Sequence, residues 1–248
     1  MSLLVISDIH GNRAALDAVL EAARAEEPNV EVVCLGDIVG YGPESGACVE
    51  RIMRYADVVV QGNHDHALAE RVSPRCSPQF RWLAEATASL GDAQVPPAQR
   101  AALGSLPRRA ILDVAGTRYL FVHATPHDPL YHYVGPDAEA WRPEVAALDA
   151  DVLVVGHTHL QFDLPFDGTR IVNPGSVGQP KDGDPRAAYA LIDADGVRLE
   201  RVAYPVEETI SALERSGVPT AAVEALAALL RTGRTSAMPP QPAAPARA

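Results

Sequence analysis

The first half of the chain alternates short apolar runs with segments of helical periodicity. Residues 3–6 are continuously apolar, as in a strand that is covered on both faces. The next segment carries four apolar residues at helical spacing: Leu16, Val19, Leu20 and Ala23. Residues 30–35 and 58–61 are predicted to be further strands, with a helix between them from Pro43 to about Arg54. Alternating strands and helices are typical of parallel βαβ units.

The second half is richer in strands that are joined by tight turns. Seven runs are predicted to be strands: 111–114, 119–122, 152–155, 162–166, 170–172, 187–192 and 197–203. Asp167-Gly168 and Asp195-Gly196 each separate two of these runs and favour hairpins. Two helices are predicted to close the chain. We therefore predict an α/β fold in which two packed β-sheets are flanked by helices.

A mainly helical segment, residues 66–106, lies between the two halves. This insert is expected either to cap a site or to form a dimer contact. Nothing in the middle of the 248-residue chain has the composition of a linker, so residues 1–234 are predicted to form a single domain. The Pro- and Ala-rich stretch 235–248 is expected to be a disordered tail.

Composition narrows the classes of function. A formal net charge of −11 argues against an extended nucleic-acid track, because such binding needs clustered Lys and Arg. The three cysteines form no CxxC pair, and Cys34 is expected to be a small buried residue in a reducing, cytoplasmic setting. No sequence run approaches the ~20 apolar residues of a membrane span, and the N-terminus lacks the pattern of a signal peptide. We expect no membrane association.

Polar side chains stand where the apolar strands end. Four motifs and a lone His123 carry them: Asp8-Ile9-His10, Gly36-Asp37, Gly62-Asn63-His64-Asp65 and Gly156-His157-Thr158-His159. The carboxyl ends of parallel strands meet at one edge of a sheet, so these side chains are expected to converge there. The two polar side chains of the first motif, and the two histidines of the last, would face the same way in an extended chain. Gly36, Gly62 and Gly156 precede three of the ligand positions, where glycine permits a sharp turn or a close approach.

Each of these residues alone has a simpler role open to it. Asp8 or Asp37 could be a helix N-cap, Asn63 a turn residue and His123 a buried core histidine. Polar residues of the same few types at five strand ends are hard to account for in that way. Carboxylate, imidazole and amide groups without thiolate suit Mn, Fe, Zn, Co or Ni. The joint pattern predicts two divalent metal ions, a device for displacement at phosphorus.

The motifs, in this order, resemble those of the calcineurin-like metallophosphoesterase superfamily over residues 3 to about 204. Asn173-Pro174-Gly175-Ser176 and residues 36–43 resemble its YfcE-type bacterial and archaeal branch. The Asp-Arg-Gly that serine/threonine protein phosphatases carry after the second motif is absent, which argues against protein phosphatase activity. The resemblance implies a four-layer αββα sandwich of two mixed β-sheets flanked by helices.

The resemblance also implies a role for each polar residue. The implied metal ligands are Asp8, His10 and His159 for the first ion and Asn63, His123 and His157 for the second, with Asp37 bridging both. The family often works with Mn²⁺. His64 would protonate the leaving oxygen or stabilise the transition state, and Asp65 would orient it, unless Asp65 only caps a helix.

Contacts with substrate are expected from a few residues near these motifs. The candidates are Asn12, Arg13, His127 and Lys181. Arg13 could equally be an ordinary residue of the first helical turn. The polar and aromatic loop after His123, which includes Tyr131, His132 and Tyr133, could rim the pocket or be a packed surface loop.

Two divalent ions and two carboxylates would leave a net charge of about +2, which favours a phosphoryl group. A hydroxide bridging two ions ~3.5–4 Å apart would attack phosphorus in line. We therefore expect a dinuclear-metal phosphodiesterase that acts on small phosphate esters or nucleotides and that could form a homo-oligomer. The alternatives are a phosphomonoesterase, a nuclease and a non-catalytic binding scaffold. A scaffold has no need of His64 or of a full ligand set, and this chain keeps both.

Overall fold

The computed structural model describes residues 2–239, and within that range it contains ten β-strands and eight α-helices. Strands and helices alternate at first: β1 (Leu3–Ile6), α1 (Arg13–Glu26), β2 (Glu31–Cys34), α2 (Ser45–Tyr55), β3 (Val58–Val59) and α3 (Asn63–Glu70). Helices and a hairpin follow: α4 (Pro78–Gln94), α5 (Pro97–Gly104), β4 (Arg109–Val114), β5 (Thr117–Val122) and α6 (Arg142–Val145). The chain then ends with β6 (Val152–Val154), β7 (Gln161–Phe166), β8 (Thr169–Pro174), β9 (Ala187–Asp193), β10 (Gly196–Val202), α7 (Val206–Glu214) and α8 (Thr220–Thr232). Every predicted strand is present, with ends that differ by a few residues.

The strands form two mixed sheets of five strands each. The first sheet has the order β10-β9-β1-β2-β3 and the second has the order β4-β5-β6-β8-β7. In the first sheet β1 pairs parallel with β2 and antiparallel with β9, while in the second β6 lies parallel between β5 and β8. The two predicted Asp-Gly hairpins are confirmed, because they connect β7 to β8 and β9 to β10 in antiparallel pairs.

The two sheets pack face to face through an apolar layer. Leu3 and Val5 of β1 meet Phe121 of β5 and Val154 of β6 in this layer. The opposite face of β1 packs on α1 and α2, which cover the first sheet. The outer face of the second sheet is covered more thinly, by a short 3₁₀ turn at Ala138–Trp141 with buried Trp141, and by α6. The predicted four-layer αββα sandwich is confirmed.

The segment between the two halves differs in detail from the prediction. Helix α3 begins at Asn63, inside the third motif, rather than at residue 66. Helices α4 and α5 fill most of the remaining insert, and α4 packs against α2 and α8. A buried cluster that includes Phe80, Leu83, Leu226 and Leu230 joins α4 to α8.

The two ends of the chain bear on three further predictions. Residues 235–237 form a 3₁₀ turn, so the predicted disordered tail does not begin at 235. The rest of that prediction, for residues 240–248, lies outside the described residues. Cys34 is buried as predicted, and all three cysteines are free. Within residues 2–239 no helix has the length and apolarity needed to span a bilayer.

Candidate metal centre

The candidate ligands lie in tight turns just after the strands. The backbone is left-handed at five of them: Asp8 (φ 54°), His10 (φ 47°), Asp37 (φ 52°), His157 (φ 64°) and His159 (φ 60°). The chain is therefore not extended at these motifs, so the condition on which the two polar side chains of each motif were expected to face the same way is not met. A left-handed residue turns the chain sharply, so alternate side chains reach the same point from a turn. Such backbone conformations cluster at functional sites.

Glycines allow these turns to approach one another. A Cβ on Gly36 would lie 2.3 Å from the backbone nitrogen of Gly62, and a Cβ on Gly62 would lie 2.2 Å from Asp37 Oδ1. A Cβ on Gly156 would lie 2.0 Å from Ser7 Oγ. Each distance is far below a van der Waals contact, so only glycine fits. The prediction that these glycines permit close approach is confirmed.

A first group of ligand atoms meets around Asp8. His10 Nε2 lies 3.1 Å from His159 Nε2, and Asp8 Oδ1 lies 3.4 Å from His159 Nε2 and 3.8 Å from His10 Nε2. All three residues are buried. Ligands ~2.1 Å from a common ion are expected to lie about 3–3.5 Å from one another. The spacing in this group is therefore that of atoms directed at one cation.

A second group meets around His123. Its Nε2 lies 3.0 Å from Asn63 Oδ1, 3.1 Å from His157 Nδ1 and 3.5 Å from Asp37 Oδ2. The same Asp37 oxygen lies 3.7 Å from His10 Nε2 of the first group. Asp37 thus stands between the two groups, at the position that a shared carboxylate would need.

The outer contacts fix which atom of each ligand faces inward. Nδ1 of His10, His123 and His159 lies 3.1, 2.8 and 2.6 Å from the backbone carbonyl oxygens of Val39, Leu35 and Gln179. Each Nδ1 donates its proton there, which leaves the Nε2 lone pair for the centre. Asn63 Nδ2 donates to the carbonyl of Pro74 at 2.7 Å, so its oxygen points inward.

Polar atoms that lack a hydrogen bond show that the two groups fit a cation. Among the described residues, Asp8 Oδ1 is buried without a hydrogen-bond partner. In addition, the Nε2 lone pairs of His10 and His159 face each other with no proton to share. A buried unpaired carboxylate oxygen and two opposed lone pairs are unfavourable in a protein interior. A divalent ion would satisfy all three atoms, so the residues present fit such an ion.

Burial controls the protonation of the ligands in the ion-free protein. It holds the pKa of His10, His157 and His159 well below the usual value, so these imidazoles are neutral. Burial opposes ionisation of Asp37, but the nearby charge of His123 outweighs it and holds the pKa of Asp37 well below its usual range. The pKa of His123 is lowered by burial and raised more by Asp37, to about 9. A bound cation would replace the proton on His123.

His64 and Asp65 have different surroundings. The His64 ring centroid lies 5.0 Å from that of His10, and His64 forms a third cluster with His10 and Asp37. Asp65 turns away from this cluster, and its carboxylate accepts hydrogen bonds from the backbone nitrogens of Gly62, Asp37, Ile38 and Val39. Both Asp65 oxygens are occupied by these bonds, and the bond from Gly62 caps the start of α3, so the structure favours the helix-capping alternative for Asp65. The other bonds connect the β2–α2 turn to the β3–α3 turn.

Two tyrosines line the centre. Tyr41 is buried, and its ring centroid lies 4.9 Å from that of His10 and 4.7 Å from that of His64. Tyr133 stacks on His157 with ring centroids 3.8 Å apart. From the sequence, the loop with Tyr133 was expected either to rim the pocket or to be a packed surface loop, and Tyr41 was given no role. The glycines on both sides of Tyr41 were the available signal, because they mark a chain that turns closely around a ring.

Three of the predicted substrate contacts lie in other surroundings. Asn12 caps α1, because its Oδ1 accepts a hydrogen bond from Ala15 N and another from Thr209 Oγ1. Its Nδ2 donates to Gly178 O and Tyr204 Oη. Arg13 is paired with Glu44 and Asp17 on the surface. The exposed His127 side chain is paired with Glu144, which also binds His132. These side chains are committed within the protein, so the structure does not bring them to the centre.

Lys181 is the predicted substrate contact that lies beside the centre. Its Nζ is 4.0 Å from the ring centroid of Phe80, and its backbone nitrogen donates to His159 O at 3.2 Å. Burial lowers the pKa of Lys181 to about 8, although the charge of Asp8 opposes the shift. An ammonium group is therefore held next to the ligands at neutral pH.

Buried carboxylates and imidazoles gathered at one edge of an α/β sandwich are a ligand set for divalent cations. Residues 1–196 match the family model described as the calcineurin-like phosphoesterase superfamily domain. The chain therefore belongs to the calcineurin-like phosphoesterase superfamily, and it is a metal-dependent phosphoester hydrolase. The resemblance read from the motifs is confirmed.

Relatives from bacteria and archaea cover most of the chain. A metallophosphoesterase from Sphaerobacter thermophilus has a similar crystal structure, with a TM-score of 0.78 and 33% identity over 94% of this chain and 100% of that one. An uncharacterized protein of Methanocaldococcus jannaschii is 32% identical over 88% of this chain and 93% of its own length. The phosphodiesterase YfcE of Escherichia coli is 29% identical over 79% of this chain and 89% of its own length.

Proposed function

We propose that this protein is a dinuclear-metal phosphodiesterase that acts on small phosphate diesters, including nucleotides. The observation that carries the proposal is the position of Asp37 Oδ2, 3.7 Å from His10 Nε2 and 3.5 Å from His123 Nε2. One carboxylate oxygen is thereby shared by two sets of inward-facing ligands, as a pair of adjacent cations requires. The similarity to the phosphodiesterase YfcE supports the choice of a diester.

The ligands divide between two ions. Asp8, His10 and His159 would hold the first, Asn63, His123 and His157 the second, and Asp37 would belong to both. When bound, divalent ions supply a Lewis acid that acidifies water and neutralises phosphoryl charge. Mn²⁺ is the ion we propose, and the same donor set also suits Fe, Zn, Co or Ni.

His64 is the residue that we assign to the leaving group. It follows the ligand Asn63 directly, and the backbone nitrogen of His64 donates to Asp37 Oδ1 at 2.7 Å. That bond fixes the start of α3 relative to the bridging carboxylate, and the ring packs between Tyr41 and His10. Burial lowers the pKa of His64 to about 4, so the neutral ring would donate an N–H hydrogen bond that stabilises the departing oxygen, and only the protonated ring would give it a proton as the P–O bond breaks.

Charge accounts for the preference for phosphate. Two divalent ions with the carboxylates of Asp8 and Asp37 leave about +2 at the centre, and a net positive centre in an acidic protein attracts a phosphoryl group. The ammonium of Lys181 adds to this field from the Phe80 side. We propose that Lys181 contacts a phosphoryl oxygen of the substrate, and that none of Asn12, Arg13 and His127 does.

The test is hydrolysis of bis-p-nitrophenyl phosphate beside p-nitrophenyl phosphate by metal-stripped protein reconstituted with Mn²⁺. We expect faster turnover of the diester. The Asp37→Asn variant, measured in parallel, should lose activity on both esters because the shared ligand is weakened. Faster hydrolysis of the monoester would make the protein a phosphomonoesterase instead. No hydrolysis of either ester by the metal-loaded protein would contradict the proposal.

A further inference from the structure

Strand β4 is an open edge of the second sheet. It pairs with β5 on one side, and within residues 2–239 no other segment forms a backbone hydrogen bond with it. The strand has six residues and no proline. Long edge strands of this kind present a row of N–H and C=O groups on which another strand can pair.

The other three sheet edges are less open to a partner strand. β3 has only two residues, and β7 contains Pro165, which has no N–H to donate. In β10 the charge of Arg198 is already paired with Glu26 and Glu200 of the same chain. Short strands and prolines are common means of protecting an edge, and β4 has neither.

The hairpin between β4 and β5 determines which backbone groups of β4 point outward. Its turn, Ala115-Gly116, has positive φ at both residues, 52° and 86°, as in a type I′ turn. Val114 and Thr117 close this two-residue turn as a hydrogen-bonded pair, and such pairs alternate with open pairs along antiparallel strands. The N–H and C=O groups of every second residue, from Asp113 back to Arg109, therefore point away from β5.

The middle residue of this set, Ile111, is an exposed apolar side chain on the outer face of the sheet. It lies opposite Leu120 of β5, and 49% of its surface is exposed. Beside it is a groove of about 420 Å³ whose walls include Leu120, Ala147 and Leu148. A partner that covered Ile111 would remove this apolar surface from water.

The two neighbours of Ile111 on the same face carry opposite charges. Arg109 and Asp113 are both exposed, and in residues 2–239 neither forms an ion pair. Arg118, which lies opposite Asp113 on β5, is paired with Asp149 instead. One nitrogen of Arg109 donates to the backbone carbonyl of residue 126, and a guanidinium group has further N–H donors.

We propose that β4 pairs antiparallel with β4 of a second copy of this chain, about a two-fold axis at Ile111. In this register Ile111 meets its counterpart, and Arg109 of each chain meets Asp113 of the other. The outward N–H and C=O groups of the two strands then face each other as hydrogen-bonded pairs. Opposite charges directly across such a pair stabilise it, and the symmetry makes the contact twice. This charge complementarity selects a second copy as the occupant of the edge.

Charge reversal tests the register. Arg109→Asp or Asp113→Arg alone would place like charges opposite each other at both contacts of a homodimer. An equimolar mixture of these two variants would place an acid opposite a base at every contact, and so would the double variant. Arg81→Asp and Glu85→Arg are the matched controls, because they make the same changes in net charge at exposed residues of α4.

The molecular mass of the full-length proteins is measured by sedimentation equilibrium at about 1–100 μM, the range in which a micromolar Kd is resolved. Circular dichroism of the same samples checks folding. The mixture is a second safeguard, because an unfolded variant could not be rescued by its counterpart. No step requires hydrolysis, so the outcome is independent of the proposed function.

We expect the wild type and both controls to dimerise, and each single variant to have a Kd at least ~10-fold higher. The mixture and the double variant should return to within about 3-fold of the wild-type Kd. A wild type that is monomeric throughout this range would overturn the proposal and leave the edge to a strand of a different protein. A wild-type dimer that the single variants do not weaken, or a weakening that neither the mixture nor the double variant reverses, would also overturn it.

Discussion

The candidate ligands hold one another in place before any ion binds. Asp8, His10 and Asp37 have left-handed backbones, a conformation that costs roughly 1–2 kcal/mol for each residue other than glycine. The turns offset this strain with cross-links, because Asp8 N donates to Gly36 O at 3.1 Å and His10 N donates to Asp37 O at 2.9 Å. The first two motifs therefore form one preorganised unit, which lowers the entropy lost when an ion is bound.

His64 offers a direct test at the scale of a single residue. We expect His64→Ala to lower kcat by about 10²- to 10⁴-fold, because a positioned proton donor contributes that much. Metal content, measured by elemental analysis, should match the wild type, since the seven assigned ligands remain. A loss of metal would place His64 among the ligands, which its cluster with His10 and Asp37 makes a real alternative.

At the scale of elements, the β2–α2 turn decides where His64 lies. Gly40 has a φ of 94°, and a Cβ there would lie 2.5 Å from His64 Nδ1. The imidazole thus packs directly on the glycine backbone, and its ring centroid lies 4.7 Å from that of Tyr41. Gly40 is not a candidate metal ligand, but through this contact it sets the orientation of the His64 ring.

Gly40→Ala should displace the His64 ring without removing it. We expect kcat to fall by up to about 100-fold, because a shift of ~1 Å in a catalytic group can have that effect. Gly135→Ala is the control, since its Cβ would meet no atom within 4 Å and its backbone is not left-handed. The double variant with His64→Ala should be no slower than His64→Ala alone. An additional loss in the double variant would show that Gly40 acts through general destabilisation.

The elements themselves were largely predictable from the sequence. Apolar runs such as residues 3–6 have to be buried on both faces, and the Asp-Gly pairs fix two hairpins, so strands and hairpins follow from local rules. The convergence of these carboxylates and imidazoles was also predictable, because helix caps and core positions do not account for such residues at so many strand ends. The left-handed turns were not, since nothing in Asp8 or His157 alone requires φ > 0.

Residue roles that depend on distant partners were also missed. Asn12 looked available for substrate, but Gly178, Tyr204 and Thr209, all far along the chain, take up its amide. Similarly, a cavity beside His64 results from α3 lying against α4, which local periodicity does not specify. Tertiary contacts of this kind decide whether a polar side chain faces a site or supports it.

At the scale of the whole molecule, the candidate metal centre contains residues from both sheets. Asp8, Asp37 and Asn63 follow β1, β2 and β3 of the first sheet, whereas His123, His157 and His159 follow β5 and β6 of the second. We also propose that residues 1–234 form one domain, because α8 packs on α4 and α7 and so ties the C-terminal helix to the insert. An ion bound between the sheets would then stabilise the entire domain.

Thermal unfolding should report this link between the sheets. An ion present at about 100 times its Kd stabilises the folded state by about 2.7 kcal/mol, which for a domain of this size raises Tm by about 5–10 °C. We therefore expect Mn²⁺ to raise the Tm of metal-stripped protein by that amount and a chelator to reverse the change. Asp37→Asn should respond much less, because both ion positions lose their shared ligand. An equal rise in the Tm of Asp37→Asn would mean that Mn²⁺ stabilises the protein at another site. No rise in the Tm of either protein would mean that ion binding does not stabilise the packing of the two sheets.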